Sequence, residues 1–399
     1  MPGGCFPQES RLVWRAGTEM YSLNDYGAMN ADAGRFEAYS RAIAAAVKPG
    51  DVFVEIGCGP GVFSLLACQA GARRVFAIEM EECIQVARQL AAANGFADRI
   101  EFFQGDSRSV VLPERANVVL SDIRGTLPLY GHSIASLNDA RERFLAPGGV
   151  LIPACDTLKA AVAEAEAFYT RLVSPWQCSP HGLDLSSSLT SVLNQSYGPP
   201  LQKEQLLTEP RTWGVLDYMA GAAKRVEAAL NFQVLRSGVA HGLVLWFDAR
   251  LLGDIGFSSG PGGSATIYGH VFLPWLQPVA LGEGEHVLVA LDASHVAGDY
   301  VWRWETQIAP AHGRPAIHFR QSTLEGAIFS PPSLRRRSAD YVPQLTREGQ
   351  AHLWLLSAMN GKLSLAEIAR EAAARFPTLF PEWQQAFECA IELAAKFSR

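Results

Sequence analysis

The seven residues Glu55-Ile56-Gly57-Cys58-Gly59-Pro60-Gly61 set a carboxylate and three glycines directly after the apolar run Val52-Phe53-Val54. Glycines at alternate positions let a backbone turn tightly and come close to a ligand, and Val62-Phe63-Ser64-Leu65-Leu66-Ala67 opens a helix whose N-terminus faces the same spot. Eighteen residues beyond Gly61, Val75-Phe76-Ala77-Ile78-Glu79 reads as a second strand ending in a carboxylate, a group that accepts both hydroxyls of a ribose. The glycine loop alone fits any nucleotide cofactor, or an ordinary strand-to-helix turn. A pyrophosphate held here would be repelled by Glu55, by up to about 4 kcal/mol for close charges at intermediate dielectric. The cationic methionine end of S-adenosylmethionine is attracted instead. Glu55, the loop and Glu79 at this spacing therefore point to that cofactor.

These residues need a scaffold that brings strand ends together. From Val52 to Ile152 short apolar strands alternate with amphipathic helices: Ile84 to Leu90 is helical, Ile100 to Phe103 and Val118 to Leu120 are strands, and a further helix runs through Leu137 and Phe144. That order is the signature of a doubly wound parallel α/β sheet. Its ligand belongs at the carboxyl ends of the strands, where Glu55, Glu79, Asp106 and Asp122 all fall. After Pro153 strand-like segments take over (230–234, 242–248, 268–273 and 286–291), separated by turns such as Ser259-Gly260-Pro261-Gly262-Gly263, which predicts an antiparallel barrel or sandwich. Beyond Ser330-Pro331-Pro332, periods at Leu353/Leu356, Leu365/Ile368/Ala369 and Phe387/Ile391/Leu393 predict a small helical module. The fold expectation is α/β plus β in three domains: 1–152, 153–325 and 340–399.

Composition narrows the class. With 399 residues the chain is too long for one core. A net charge of −6 and the absence of dense Lys/Arg runs argue against nucleic acid as a partner, Arg335-Arg336-Arg337 reading as a solvated linker. No apolar run is long enough to span a membrane and the N-terminus lacks the pattern of a secretion signal, so a cytoplasmic location is expected. Seven cysteines without a Cys-x-x-Cys pair suggest free thiols and no zinc site. Cys58 reads as a small packing residue of the loop.

Over roughly residues 18 to 310 the chain resembles the protein arginine methyltransferases. Asp32-Ala33-Gly34-Arg35 with Tyr39 matches the family's N-terminal helix motif, which implies that Arg35 grips the cofactor carboxylate. Met29 then falls beside the sulfonium, Glu79 with Met80 at the ribose, and Phe103 to Arg108 around the adenine, with Asp106, Ser107 and Arg108 in contact. Cys58 and the glycines 57, 59 and 61 line the same ligand. Leu145-Ala146-Pro147-Gly148-Gly149 resembles the exit into the second domain, and 182–185 and 256–259 fall where family motifs fall. The family's homodimer would carry over to an arm within 176–207.

The acceptor side departs from that resemblance. The family holds a guanidinium with two glutamates of one loop; here Asp122 stands in place of the first and Gly131 in place of the second. The family's Thr-His-Trp becomes Thr266-Ile267-Tyr268. Arg124 adds a cation to the loop, which either pairs with Asp122 or meets a substrate carboxylate. Catalytic candidates are Asp122, Tyr130, His132 and Arg124, with His270 as a further base and Tyr21 and Tyr26 as walls. The segment 345–396 resembles the helical part of PqqD-like peptide-binding domains. The expectation is an S-adenosylmethionine-dependent methyltransferase acting on a nitrogen or oxygen of a peptide or small metabolite. The alternatives are true protein or free-arginine N-methylation through a rebuilt site, and a catalytically silent protein that binds the cofactor and recruits a peptide.

Overall fold

The computed structural model describes residues 21–178, 180–263, 266–309 and 315–398. Two helices, α1 (Leu23–Ala31) and α2 (Ala33–Ala46), precede the first sheet. Helix α2 buries Arg35, Ala38, Tyr39, Ala42, Ile43 and Ala46, the three-and-four spacing of a single helix face. Its N-cap, Asp32, uses both carboxylate oxygens: one accepts from the Arg35 amide at 3.1 Å, the other from the Ile267 amide at 2.8 Å. One side chain thus starts the helix and ties it to a loop more than 200 residues away.

The first sheet comprises β1 (Val52–Ile56), β2 (Arg74–Glu79), β3 (Ile100–Gln104), β4 (Ala116–Ser121) and β5 (Leu145–Ile152), all parallel, in the order β3-β2-β1-β4-β5. Helices α3 (Val62–Gln69), α4 (Ile84–Ala93) and α5 (Ser133–Arg143) connect them. All five residues of β1 are buried, as a central parallel strand covered on both faces requires. Strand order reverses between β1 and β4, and the crevice beyond their carboxyl ends is where this topology places a ligand.

From Cys155 the sheets are antiparallel. Strands β6 (Cys155–Ala163), β7 (Arg211–Asp217), β9 (Gly238–Leu252), β10 (Ile255–Ser258) and β11 (Val271–Leu281) form one; β8 (Arg225–Gln233), β12 (His286–Val296), β13 (Asp299–Ile308) and β14 (Ile317–Ser322) form the other. Trp213 of β7 meets Trp302 of β13 edge to face, centroids 5.6 Å apart, so the two sheets share a core. The expected barrel is thus built as two sheets rather than one closed hydrogen-bonded ring among the described residues. The segment expected as a strand over 268–273 begins at Val271, because Thr266 to His270 turn toward the crevice. Helices α6 (Glu166–Gln177) and α7 (Leu189–Leu193) lie in the excursion between β6 and β7, and α8 (Thr323–Gly326) follows β14.

The chain divides into two compact units between Ala327 and Ile328. The second holds α9 (Pro331–Arg335), α10 (Arg347–Ala358), α11 (Leu365–Arg375) and α12 (Trp383–Phe397), the last three packed on Leu355, Ile368, Ala369, Ala372, Ala386 and Ala390. Ser364 and Glu367 close a reciprocal capping box that starts α11.

Strand β9 pairs with β6, β10 and β11, and at Gly242 it has no room for a side chain: a Cβ there would lie 2.2 Å from the Leu273 carbonyl oxygen. That oxygen belongs to a paired strand and has nowhere to go. Gly242→Ala is expected to destabilise the protein by about 1–3 kcal/mol, the usual cost of overpacking, read as a lower urea midpoint with unchanged slope.

Candidate functional site

A cavity of about 1010 Å³ opens at the carboxyl ends of β1, β2 and β4, with its far wall made by Gly198 to Gln202, Ser259 to Gly263 and Thr266 to His270 of the antiparallel half. Of the residues expected from sequence, Met29, Arg35, Glu55, Gly57, Cys58, Gly59, Glu79, Met80, Asp106, Ser107, Arg108, Asp122, Tyr130 and His132 line it. Gly61 instead caps α3 in the left-handed region. Its role is to start that helix.

On the cofactor side, Glu79 organises the loops around it. Its carboxylate accepts from the amides of Gly59 at 2.8 Å, Met80 at 2.7 Å and Glu81 at 3.1 Å, which fixes the glycine loop against the tip of β2. Two carboxylate oxygens offer about four acceptor sites, so capacity remains for ligand hydroxyls. Gly59 has φ +52, and a Cβ on it would meet the Tyr26 ring at 2.6 Å; the bare backbone lets α1 close over the loop. Asp106 is gripped by Arg108 through its amide and guanidinium, shaping the turn after β3. Burial pushes the Cys58 thiol well above its usual range, leaving it as packing.

Glu55 is buried and accepts from the Ser64 hydroxyl at 2.5 Å. Burial, only partly opposed by that bond, pushes its carboxyl from 4.5 up to about 8. A cation placed beside it favours the ionised form. The residues present therefore fit S-adenosylmethionine: an acid for the ribose, a glycine cradle, and a second acid poised to ionise against positive charge.

The opposite side of the cavity centres on Asp122. The Tyr268 hydroxyl oxygen lies 2.5 and 2.6 Å from its two oxygens, Arg35 Nε donates at 2.7 Å, and Arg124 approaches at 3.3 Å. Burial alone would raise this carboxyl; Arg35, Arg124 and Tyr268 together outweigh it and hold Asp122 below the ordinary range. It is a carboxylate at neutral pH and a weak base. Arg35, expected to face the cofactor carboxylate, is turned to Asp122 and to the Met29 carbonyl. Arg124, considered as a substrate contact, is wholly buried and directed at Asp156, so it does not reach the cavity. His270 is no base either: its Nε2 accepts from the Leu201 amide at 2.9 Å, burial lowers its pKa, and it pins the rim. His132 lies at the start of α5 with its ring 5.7 Å from that of His295. Tyr21 and Tyr26 meet edge to face at the mouth.

Sequence reasoning passed over Tyr268 as a site residue because it sat in a degraded motif. Asp156 and Tyr218, 2.7 Å apart, carry no motif; the buried acid at the start of β6 was the available signal. Among the described residues no group of three or more His, Cys, Asp or Glu side chains is placed to hold a metal ion, and no helix is long and apolar enough to cross a membrane.

A parallel sheet with an acid-and-glycine crevice, closed by an antiparallel half, is a fold that this chain shares with solved protein arginine methyltransferases. A family model described as a methyltransferase domain matches residues 47–205. The chain is 28% identical over 231 residues to a probable protein arginine N-methyltransferase 6 of Arabidopsis thaliana, covering 56% of this chain and 53% of the relative. It is 30% identical over 266 residues to a probable histone-arginine methyltransferase CARM1 of Oryza sativa subsp. indica, covering 63% and 50%. The chain thus spans about half the length of these curated relatives. Among solved structures it is similar to Arabidopsis thaliana protein arginine methyltransferase 10 (TM-score 0.67, 21% identity, 75% of this chain and 97% of that one). It is also similar to the Trypanosoma brucei PRMT1 enzyme-prozyme complex with AdoHcy (TM-score 0.68, 20% identity, 75% and 98%). The chain carries a methyltransferase domain in an arginine-methyltransferase-like fold.

The raised Glu55 pKa sets a pH dependence. Below about pH 4.5 the carboxyl is protonated folded or unfolded and costs nothing; between 4.5 and about 8 only the unfolded chain ionises, so stability falls as pH rises and levels off above 8. Comparing cofactor-free wild type with Glu55→Gln by urea denaturation at pH 5.5 and 8.5, wild type is expected to lose stability relative to the variant, on the order of a few kcal/mol. Parallel curves would remove Glu55 as the group responsible.

Proposed function

We propose that this protein is an S-adenosylmethionine-dependent methyltransferase that methylates a nitrogen or oxygen of a peptide or small metabolite. The observation that carries this reading is the junction of the cavity's two sides. Glu79 and Glu55 bound the cofactor end, and Asp122, already ion-paired, bounds the acceptor end. When bound, the cofactor supplies a methyl group on a sulfonium, ready for displacement. The chain's own residues then have separable roles. Glu79 holds the ribose hydroxyls while the Gly59 and Met80 amides keep it aimed. Glu55 ionises against the positive methionine end. Tyr268 and Arg35 fix Asp122 as a negative charge bounding the acceptor. Once methylation has acidified the acceptor its proton passes to solvent with little base strength required, and alignment in the cavity carries much of the rate.

The relatives' names favour one rival, methylation of arginine itself through a rebuilt site. The resemblance of the chain to arginine methyltransferases implies a homodimer through an arm within 176–207, and the net charge of −6 without dense basic runs argues against a nucleic-acid partner. The resemblance of 345–396 to the helical part of PqqD-like domains is what supports a peptide among the acceptors.

Calorimetry with S-adenosylmethionine tests the central reading. Wild type is expected to bind, and Glu79→Ala to lose about ten- to a hundredfold in affinity, the worth of hydrogen bonds to a charged group. No binding by wild type, or equal binding by the variant, would sink the reading.

A further inference from the structure

Arg124 is held as a protein holds a guanidinium ligand. Its side chain is wholly buried, with the ring centroids of Phe247, Phe257, Tyr268 and Tyr39 at 5.0, 5.4, 5.6 and 5.8 Å from its central carbon. Nη1 donates to Asp156 at 2.7 Å, Nη2 to the Tyr39 hydroxyl at 2.5 Å, and Nη2 and Nε face Asp122 Oδ1 at 3.3 and 3.4 Å. An aromatic box with two carboxylates is how a planar cation is fixed. Here the cation belongs to the chain.

The charge count at this centre closes without a substrate. Arg35 and Arg124 balance Asp122 and Asp156, and both oxygens of Asp122 are taken by Tyr268 and the two arginines. Of the other acids lining the cavity among the described residues, Asp106 is ion-paired with Arg108, while Glu79 accepts from three amides, Asp25 from Ser22 and Glu55 from Ser64. Glu81 stands two residues past Glu79 at the cofactor end. A second fixed cation beside Asp122 would meet Arg35, and the two carboxylates at that point among the described residues, Asp122 and Asp156, are already paired with arginines.

We infer that Arg124 is a specificity-determining residue: by supplying its own guanidinium to Asp122 and Asp156 it excludes arginine and other fixed cations, so that the acceptor is an uncharged nitrogen or oxygen nucleophile. The acceptor class rests on the methyltransferase reading; the internal occupancy of the cage does not. Arg124 acts through Asp122 and does not touch the acceptor.

Two measurements on the full chain test this, both without S-adenosylmethionine, so that a failure of cofactor binding is a separate result. In the first, N-acetyl-L-argininamide and its uncharged isostere N-acetyl-L-citrullinamide are titrated into wild type. The arginine compound is expected to bind no more tightly than the citrulline compound, and tighter binding by tenfold or more overturns the inference. In the second, Arg124→Ala empties the cage. Its melting temperature is expected to fall, and 5–10 mM guanidinium chloride to raise it relative to equal sodium chloride, with no such rise in wild type. Absence of a guanidinium-specific rise in a folded variant, or an equal rise in wild type, overturns the inference. Should the variant not fold, the wild-type titration decides alone.

Discussion

The pairing of Asp122 with Arg35 and Arg124 is the interaction on which the parallel and antiparallel halves of the first unit depend. Asp122 ends β4 of the parallel sheet, Arg35 comes from α2, Asp156 lies on β6 of the antiparallel sheet, and Tyr268 is on the loop before β11. Ion pairs this buried cost several kcal/mol of desolvation per charge, recovered only if every donor and acceptor is matched. Here they are matched, through Tyr39 and Tyr218 as well. Such a centre contributes less to net stability than to geometry. It fixes which side chains face the cavity and which stay behind it.

Around that centre the two ends of the cavity are built from different chemistry. The cofactor end is largely backbone: amides of the glycine loop and the β2 tip converge on Glu79, and small residues leave space. The opposite end is side-chain work, a carboxylate surrounded by guanidinium groups and aromatic rings. This division explains why the first end is readable as a motif and the second is not. Backbone approach demands glycine at set positions, whereas a charge-balanced cluster can be assembled from many residue combinations.

The same contrast governs how far the sequence could be read. The parallel sheet was legible because buried strands are apolar runs and their acids fall at strand ends, as at Glu55, Glu79 and Asp122. The helical periods of 353–356, 365–369 and 387–393 likewise show in α10 to α12. Asp156 and Tyr39 were illegible as partners of Arg124 because they lie 32 and 85 residues from it and meet only in the folded chain. Tyr268 was visible as a letter in an altered motif, but its hydrogen bond to Asp122 depends on the turn that ends just before Val271. Arg35 was assigned by resemblance to a ligand, while in this structure its nearest opposite charge is Asp122.

Asp32 gives the site a mechanical character. Because one of its oxygens caps α2 and the other holds the Ile267 amide, the helix that carries Arg35 and the loop that carries Tyr268 are riveted together. Moving the backbone of either segment strains the hydrogen bond that Asp32 makes to the other. A displacement of α2 would therefore be transmitted to the opposite wall, which makes the geometry of one end of the cavity depend on the placement of the other.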